Sequence, residues 1–181
     1  MSRRGWVLSL LGLVVAVGGY VAWEVFEFQT LFIDDTVNEA APVFATEPET
    51  DVGSPPTEPG TSPTNADAPT PAPLATGTFV DRSHPTSGTA VVLGDGEGRR
   101  VLRFEGFETD NGPDLNVYLS SAPPDAGAGA FDDDFVDLGD LKGNVGDQNY
   151  EIPEDVDLER YGTVVVWCVR FSVAFGVADL A

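Results

Sequence analysis

Two side chains present in single copy, Cys168 and His84, carry most of the chemistry this sequence could perform. A thiol is a redox group, a nucleophile when ionised, and a soft ligand for iron or another metal. Arg170 lies two residues beyond Cys168, so on a strand it would share that face and favour the thiolate. The plain alternative is a small buried hydrophobe, since free cysteine is among the most buried residue types. His84 stands in Arg82-Ser83-His84-Pro85, where the plain reading is a loop histidine at a turn. Brought next to Cys168 in space, it would be a second ligand of a haem iron or a base beside the thiol. Ser83 adds no triad, because adjacent side chains do not face each other. Asp132, Asp133, Asp134 and Asp137 could hold Ca²⁺ together with backbone carbonyls. They lack the alternating spacing and glycine of a calcium loop, and read as a solvated acidic turn. No carboxylate spacing points to glycoside hydrolysis.

The same single copies exclude several functions. Blue-copper sites need two histidines and a cysteine, and structural zinc needs four Cys or His ligands. A disulfide scaffold, a redox pair and a covalent haem attachment each need two cysteines. Thirty acidic residues against nine basic ones give a net charge of −21, which argues against nucleic acid as a partner. Only Lys142 among the cations is a lysine. Residues 1–23 carry +2, residues 24–76 carry −10, and residues 77–181 carry −13 from 20 acids and 7 bases. A domain at −13 repels itself until salt shortens the Debye length from about 10 Å at 0.1 M to about 3 Å at 1 M. Aspartate-rich, lysine-poor composition is therefore expected of a halophilic protein; an acidic surface for cations or a basic partner is the alternative.

The elements that must position Cys168 and His84 begin with a membrane segment. After Arg3 and Arg4 no charge appears until Glu24, leaving 19 uncharged, mostly apolar residues. As a helix they span about 28 Å, close to the hydrocarbon thickness of about 30 Å. Trp6 at one end and Tyr20 with Trp23 at the other suit the two interfaces. The arginines precede the span, so the N-terminus is expected in the cytoplasm and the remainder outside the cell membrane, on a single pass. No small-residue cleavage site follows, which favours an uncleaved signal anchor over a signal peptide. Residues 1–36 are thus expected to be anchor and juxtamembrane segment. Residues 37–76 form a Pro/Thr/Glu-rich disordered stalk, with nine of the fourteen prolines. Extended as polyproline, such a stalk reaches on the order of 100 Å.

Residues 77–181 read as one all-β domain, an antiparallel sandwich or barrel. Expected strands are 77–81, 88–93, 100–104, 114–119, 135–138, 150–152, 163–171 and 173–179, with turn signals such as Asp95-Gly96-Glu97-Gly98 between them. The run Thr163 to Val169 is apolar on both faces and reads as a central strand covered on each side. Val164, Val166 and Cys168 fall on one face, and Val165, Trp167 and Val169 on the other. Gly139, Gly143 and Gly146 mark backbone that needs positive φ or close approach, as a structural crossover or the wall of a pocket.

As a set, the residues of this domain resemble the DM13 family. The resemblance is carried by Gly77-Thr-Phe79, His84 with Gly88, Leu102-Arg-Phe104, Gly112-Pro113-Asp114-Leu115 and Val117-Tyr118-Leu119. It continues through Leu138-Gly139, Leu141-Lys142-Gly143, Gly146-Asp-Gln148 with Tyr150, Ile152-Pro153, Tyr161, Val164 through Cys168, and Phe171 through Gly176 with Ala178 and Leu180. It implies a β-rich extracytoplasmic domain taking part in electron transfer through a cysteine, which acts as a bare thiol or holds a prosthetic group such as haem. That cysteine corresponds to Cys168. The expectation is a membrane-anchored domain with a redox role at the cell surface, Cys168 as reactive centre, His84 as second ligand or proton partner, and a redox protein as partner. The alternative is a non-catalytic ligand- or protein-binding module with a structural cysteine.

Overall fold

Nine strands follow one another along the chain in the computed structural model, which describes residues 34–44 and 71–181. They are β1 (Thr36–Asn38), β2 (Ala72–Asp81), β3 (Thr86–Gly94), β4 (Arg100–Thr109), β5 (Leu115–Ser120), β6 (Phe135–Asp140), β7 (Val145–Ile152), β8 (Thr163–Cys168) and β9 (Val173–Asp179). A 3₁₀ turn at Ala128–Ala130 is the one helical element among the described residues. The strands form one sheet in the order β1-β7-β4-β3-β2-β9-β8-β5-β6, antiparallel except for β1 with β7. All eight expected strands are present, most of them longer than their apolar runs. The expected membrane helix and most of the stalk lie outside the described residues; no helix among those described is long and apolar enough to span a membrane.

The sheet curls into a half-barrel rather than separating into a sandwich, and β2 is the reason. Its first part, Ala72 to Thr78, pairs with β3, and its last residues, Phe79 to Asp81, pair with β9. A bulge between Pro73 and Ala75 bends the strand before it changes neighbours. Gly77 admits the close approach of β9's end, where a Cβ would stand 2.4 Å from the Asp179 carbonyl oxygen. Both halves of the sheet then face one core, in which Phe79, Phe104 and Phe107 meet edge-on or tilted at about 5 Å.

Strand β8 is central and covered on both faces, as its sequence requires. Val164, Val166 and Cys168 enter the main core. Val165 and Trp167 enter a second cluster with Tyr118, Ala174 and Val177, closed by Phe131 from the 121–134 connection. The strand ends at Cys168, three residues earlier than expected, so Val169 is 42 % exposed instead of covered beside Trp167.

The structure adds a strand that the sequence did not reveal. β1 runs parallel to β7, with Thr36 opposite Val145 and Asn38 opposite Asp147, across the start of the stalk expected to be disordered over residues 37–76; residues 37–44 of that stretch run along the sheet and residues 72–76 pair with β3. Residues 34–44 lie as a strap along this sheet edge and end at Phe44, which is 5 % exposed beneath the Arg99 guanidinium. The domain's own residues are shaped for it. A Cβ on Gly143 would meet the Asp35 carbonyl oxygen at 2.4 Å, and one on Gly146 would meet that of Val37 at 2.0 Å. Gly146 has φ +106° and Gly139 +104°, so of the three glycines two need positive φ and two admit close approach. Asn144, 2 % exposed, donates to Asp34 and accepts from the Asp35 N–H. Lys142 pairs with Glu39 at 2.8 Å, and Arg103 donates to the Glu39 carbonyl oxygen. Burial pushes the Glu39 carboxyl up, but hydrogen bonds from Lys142 and the Asn149 N–H outweigh it and leave the group below its ordinary value.

Candidate functional site

The pairing pattern places one set of connections at one end of the half-barrel: 82–85, 110–114, 141–144 and 169–172. Cys168 and His84 are both there. Cys168 is the last residue of β8, its side chain turned into the main core and 0 % exposed. Its thiol donates to the Pro113 carbonyl oxygen at 3.1 Å. The cover above it is thin, consisting of the turn 112–114 and the exposed turn Val169–Ser172, joined by the Val169 N–H on the Asp114 carbonyl oxygen at 3.0 Å. Asp114 (φ 64°) and Ser172 (φ 51°), one in each turn, are the two non-glycine residues with positive φ among the described residues. The left-handed region costs such residues on the order of 1 kcal/mol or more.

Burial pushes the Cys168 thiol up. The backbone N–H groups of Phe171 and Arg170 and the Arg170 charge oppose this, and Asp114 adds to it; burial wins. Arg170 therefore acts on the sulfur as expected, but from a turn rather than a strand face, and without producing a thiolate.

His84 belongs to a different surface. Its Nδ1 is 2.9 Å from Asp110 Oδ2, and its ring stacks on Phe175 with centroids 3.8 Å apart. It lines a groove of about 690 Å³ together with Asp34, Asp81, Ser87, Glu108 and Asp110. The path from His84 to Cys168 passes through Phe175 to Gly112, whose Cβ would meet the ring at 2.7 Å, and then through Pro113. The two residues share an end of the fold but do not touch.

Haem is the prosthetic group at issue, and the two residues do not fit it jointly. The sulfur is sealed and hydrogen-bonded, Cys168 lines neither the His84 groove nor the neighbouring groove at Gly112 and Asp114, and one His84 nitrogen is engaged by Asp110 with a ring face covered. The aspartates 132–137 are not gathered around a cation site. Asp134 binds Arg160 and accepts from Tyr161, and Asp137 accepts from the Gly139 N–H. Sequence reasoning missed Pro113 and Asp114 as partners of the thiol and Asp110 as partner of the histidine. Gly112-Pro113 signalled a turn, but nothing in the sequence said what that turn covers.

Residues 78–180 match the model of the family described as "Electron transfer DM13". No curated protein and no solved structure matches the chain. The matched span contains both Cys168 and His84 and excludes the strap.

Proposed function

The chain belongs to the DM13 family through residues 78–180, and on that premise we propose that it is a membrane-anchored, extracytoplasmic electron-transfer protein of saline surroundings whose redox residue is Cys168 as a bare thiol. The observation that carries this reading is the position of the sulfur: at a strand end, beneath two short turns, each with a strained residue. The chain has one cysteine, so its thiol is oxidised by exchange with a disulfide of another molecule. The Cys168 sulfur, losing its proton, attacks one sulfur of the partner's disulfide; the new S–S bond forms as the partner's own S–S bond breaks, and the second partner sulfur leaves and takes up the proton. A disulfide-bearing redox protein is accordingly the partner this reading calls for.

A second reading has an observation of its own. The hydrogen bond to Pro113 and the raised pKa suit a structural cysteine in a non-catalytic surface-binding module. Equilibration of the folded protein with thiol–disulfide buffers in molar salt separates the two. The redox reading expects a mixed disulfide at Cys168 in the folded state with a defined midpoint potential. Formation of that adduct only after unfolding sinks it.

A further inference from the structure

The strap has an entrance and an exit at opposite ends of the half-barrel. β1 runs parallel to β7, so it enters beside Val145 and proceeds toward Ile152. At the entrance Asp34 hydrogen-bonds Asn144, which also donates to the Thr109 carbonyl oxygen, and Asp35 lines a groove with Gly112 and Asp114. This is the end that holds His84 and the cover of Cys168. At the exit Phe44 packs under Arg99. Ala72, the first residue of β2, pairs with Gly94, which in turn pairs with Arg100. The chain thus leaves the strap and rejoins the sheet at the same end.

We propose that residues 34–44 are a constitutive strap that holds the folded unit against the membrane with its Cys168 end facing the bilayer. The proposal rests on the anchor part of the preceding reading. If residues 5–23 span the membrane, only residues 24–33 separate the bilayer from the strap entrance. Ten residues extend at most about 35 Å. A free stalk running from residue 24 to residue 71 would instead allow the domain to stand off by up to about 150 Å. In the strapped arrangement residues 45–70 connect two points at the far end of the domain and do not set its height. The strap also pairs with the Val145–Asp147 part of the β7 edge, which would otherwise present unpaired backbone groups. Its consequence for function is that a partner reaches Cys168 from the membrane side, carried in or on the same bilayer.

The full chain, reconstituted in liposomes in molar salt, carries a site-specific protease sequence inserted between residues 45 and 70. Sedimentation is followed before and after cutting. The strap predicts that the uncut chain sediments and that the cut domain still sediments, held by β1. In the double variant Glu39→Ala, Phe44→Ala, altered only on the strap side and outside the family span, the cut domain moves to the supernatant. An uncut chain that sediments but releases its unaltered domain on cutting refutes the strap and leaves the anchor standing. An uncut chain in the supernatant refutes the anchor, and with it the membrane placement.

Orientation has its own measurement. In a Cys168→Ser background, a dye attached to a cysteine at Phe171 or at Glu97 is quenched by a lipid-borne quencher. Stronger quenching at position 171 than at position 97 is expected. Equal or reversed quenching overturns the orientation.

Discussion

The rate at which Cys168 reacts with a maleimide in the folded protein distinguishes a gated thiol from a core residue. The sulfur is 0 % exposed, so reagent reaches it only through an opening. The smallest sufficient opening separates turn 112–114 from turn 169–172. It breaks two hydrogen bonds, Cys168 thiol to Pro113 and Val169 N–H to Asp114. At about 1 kcal/mol net each these contribute about 2 kcal/mol. Wetting the sulfur and its apolar neighbours adds about 2 kcal/mol. Release of Asp114 and Ser172 from positive φ returns about 1 kcal/mol each. Opening therefore costs about 2 kcal/mol, and labelling should be slowed about 30-fold relative to an unfolded chain, where 1.36 kcal/mol is a factor of ten. Global unfolding, at 5 kcal/mol or more for a typical domain, would slow it several-thousand-fold or more. The assay follows adduct formation by mass spectrometry across low denaturant concentrations at fixed high salt. Local opening predicts a rate nearly independent of denaturant, because little surface is exposed. A rate that climbs with the full slope of global unfolding would refute the gate and leave Cys168 a structural residue.

Three further outcomes follow from the charges. Arg103 is 5 % exposed and holds Asp147 at 2.6 Å, Glu105 at 3.0 Å and the Glu39 carbonyl; Arg103→Met should lower stability by about 1–3 kcal/mol, below the full cost of breaking a buried pair because both carboxylates are part-exposed, read as the shift in a denaturation midpoint. With −13 on residues 77–181, the midpoint should rise steeply between 0.1 and 1 M KCl as screening shortens; a midpoint insensitive to salt over that range contradicts the halophilic reading. The Glu39 carboxyl is held below its ordinary value of 4.5, so its contribution to the strap is complete above that pH and is lost as pH falls through the folded value. Retention of the cut domain on liposomes should weaken on acidification below pH 4.5, and Glu39→Gln should flatten that part of the dependence.

What the sequence determined by itself was local. Period-two alternation and turn residues placed all eight strands of the matched region, because a strand's faces and a turn's φ are set within a few residues. The two-faced run at 163–168 announced its central position for the same reason: nothing but cover on both sides tolerates Val165 and Trp167 opposite Val164 and Val166. Gly143 and Gly146 even recorded that a backbone passes close by. Which backbone passes there only the tertiary structure decided, since Asp35 and Asn144 meet across 109 positions and three residues of parallel pairing leave no period to read. The same holds at the candidate site. Cys168 is sealed by Pro113, 55 positions away, and His84 is turned to Asp110 and Phe175 rather than to the sulfur. A single-copy residue shows in the sequence which chemistry is available; whether solvent, a partner or a carbonyl oxygen reaches it depends on chain segments that meet only on folding.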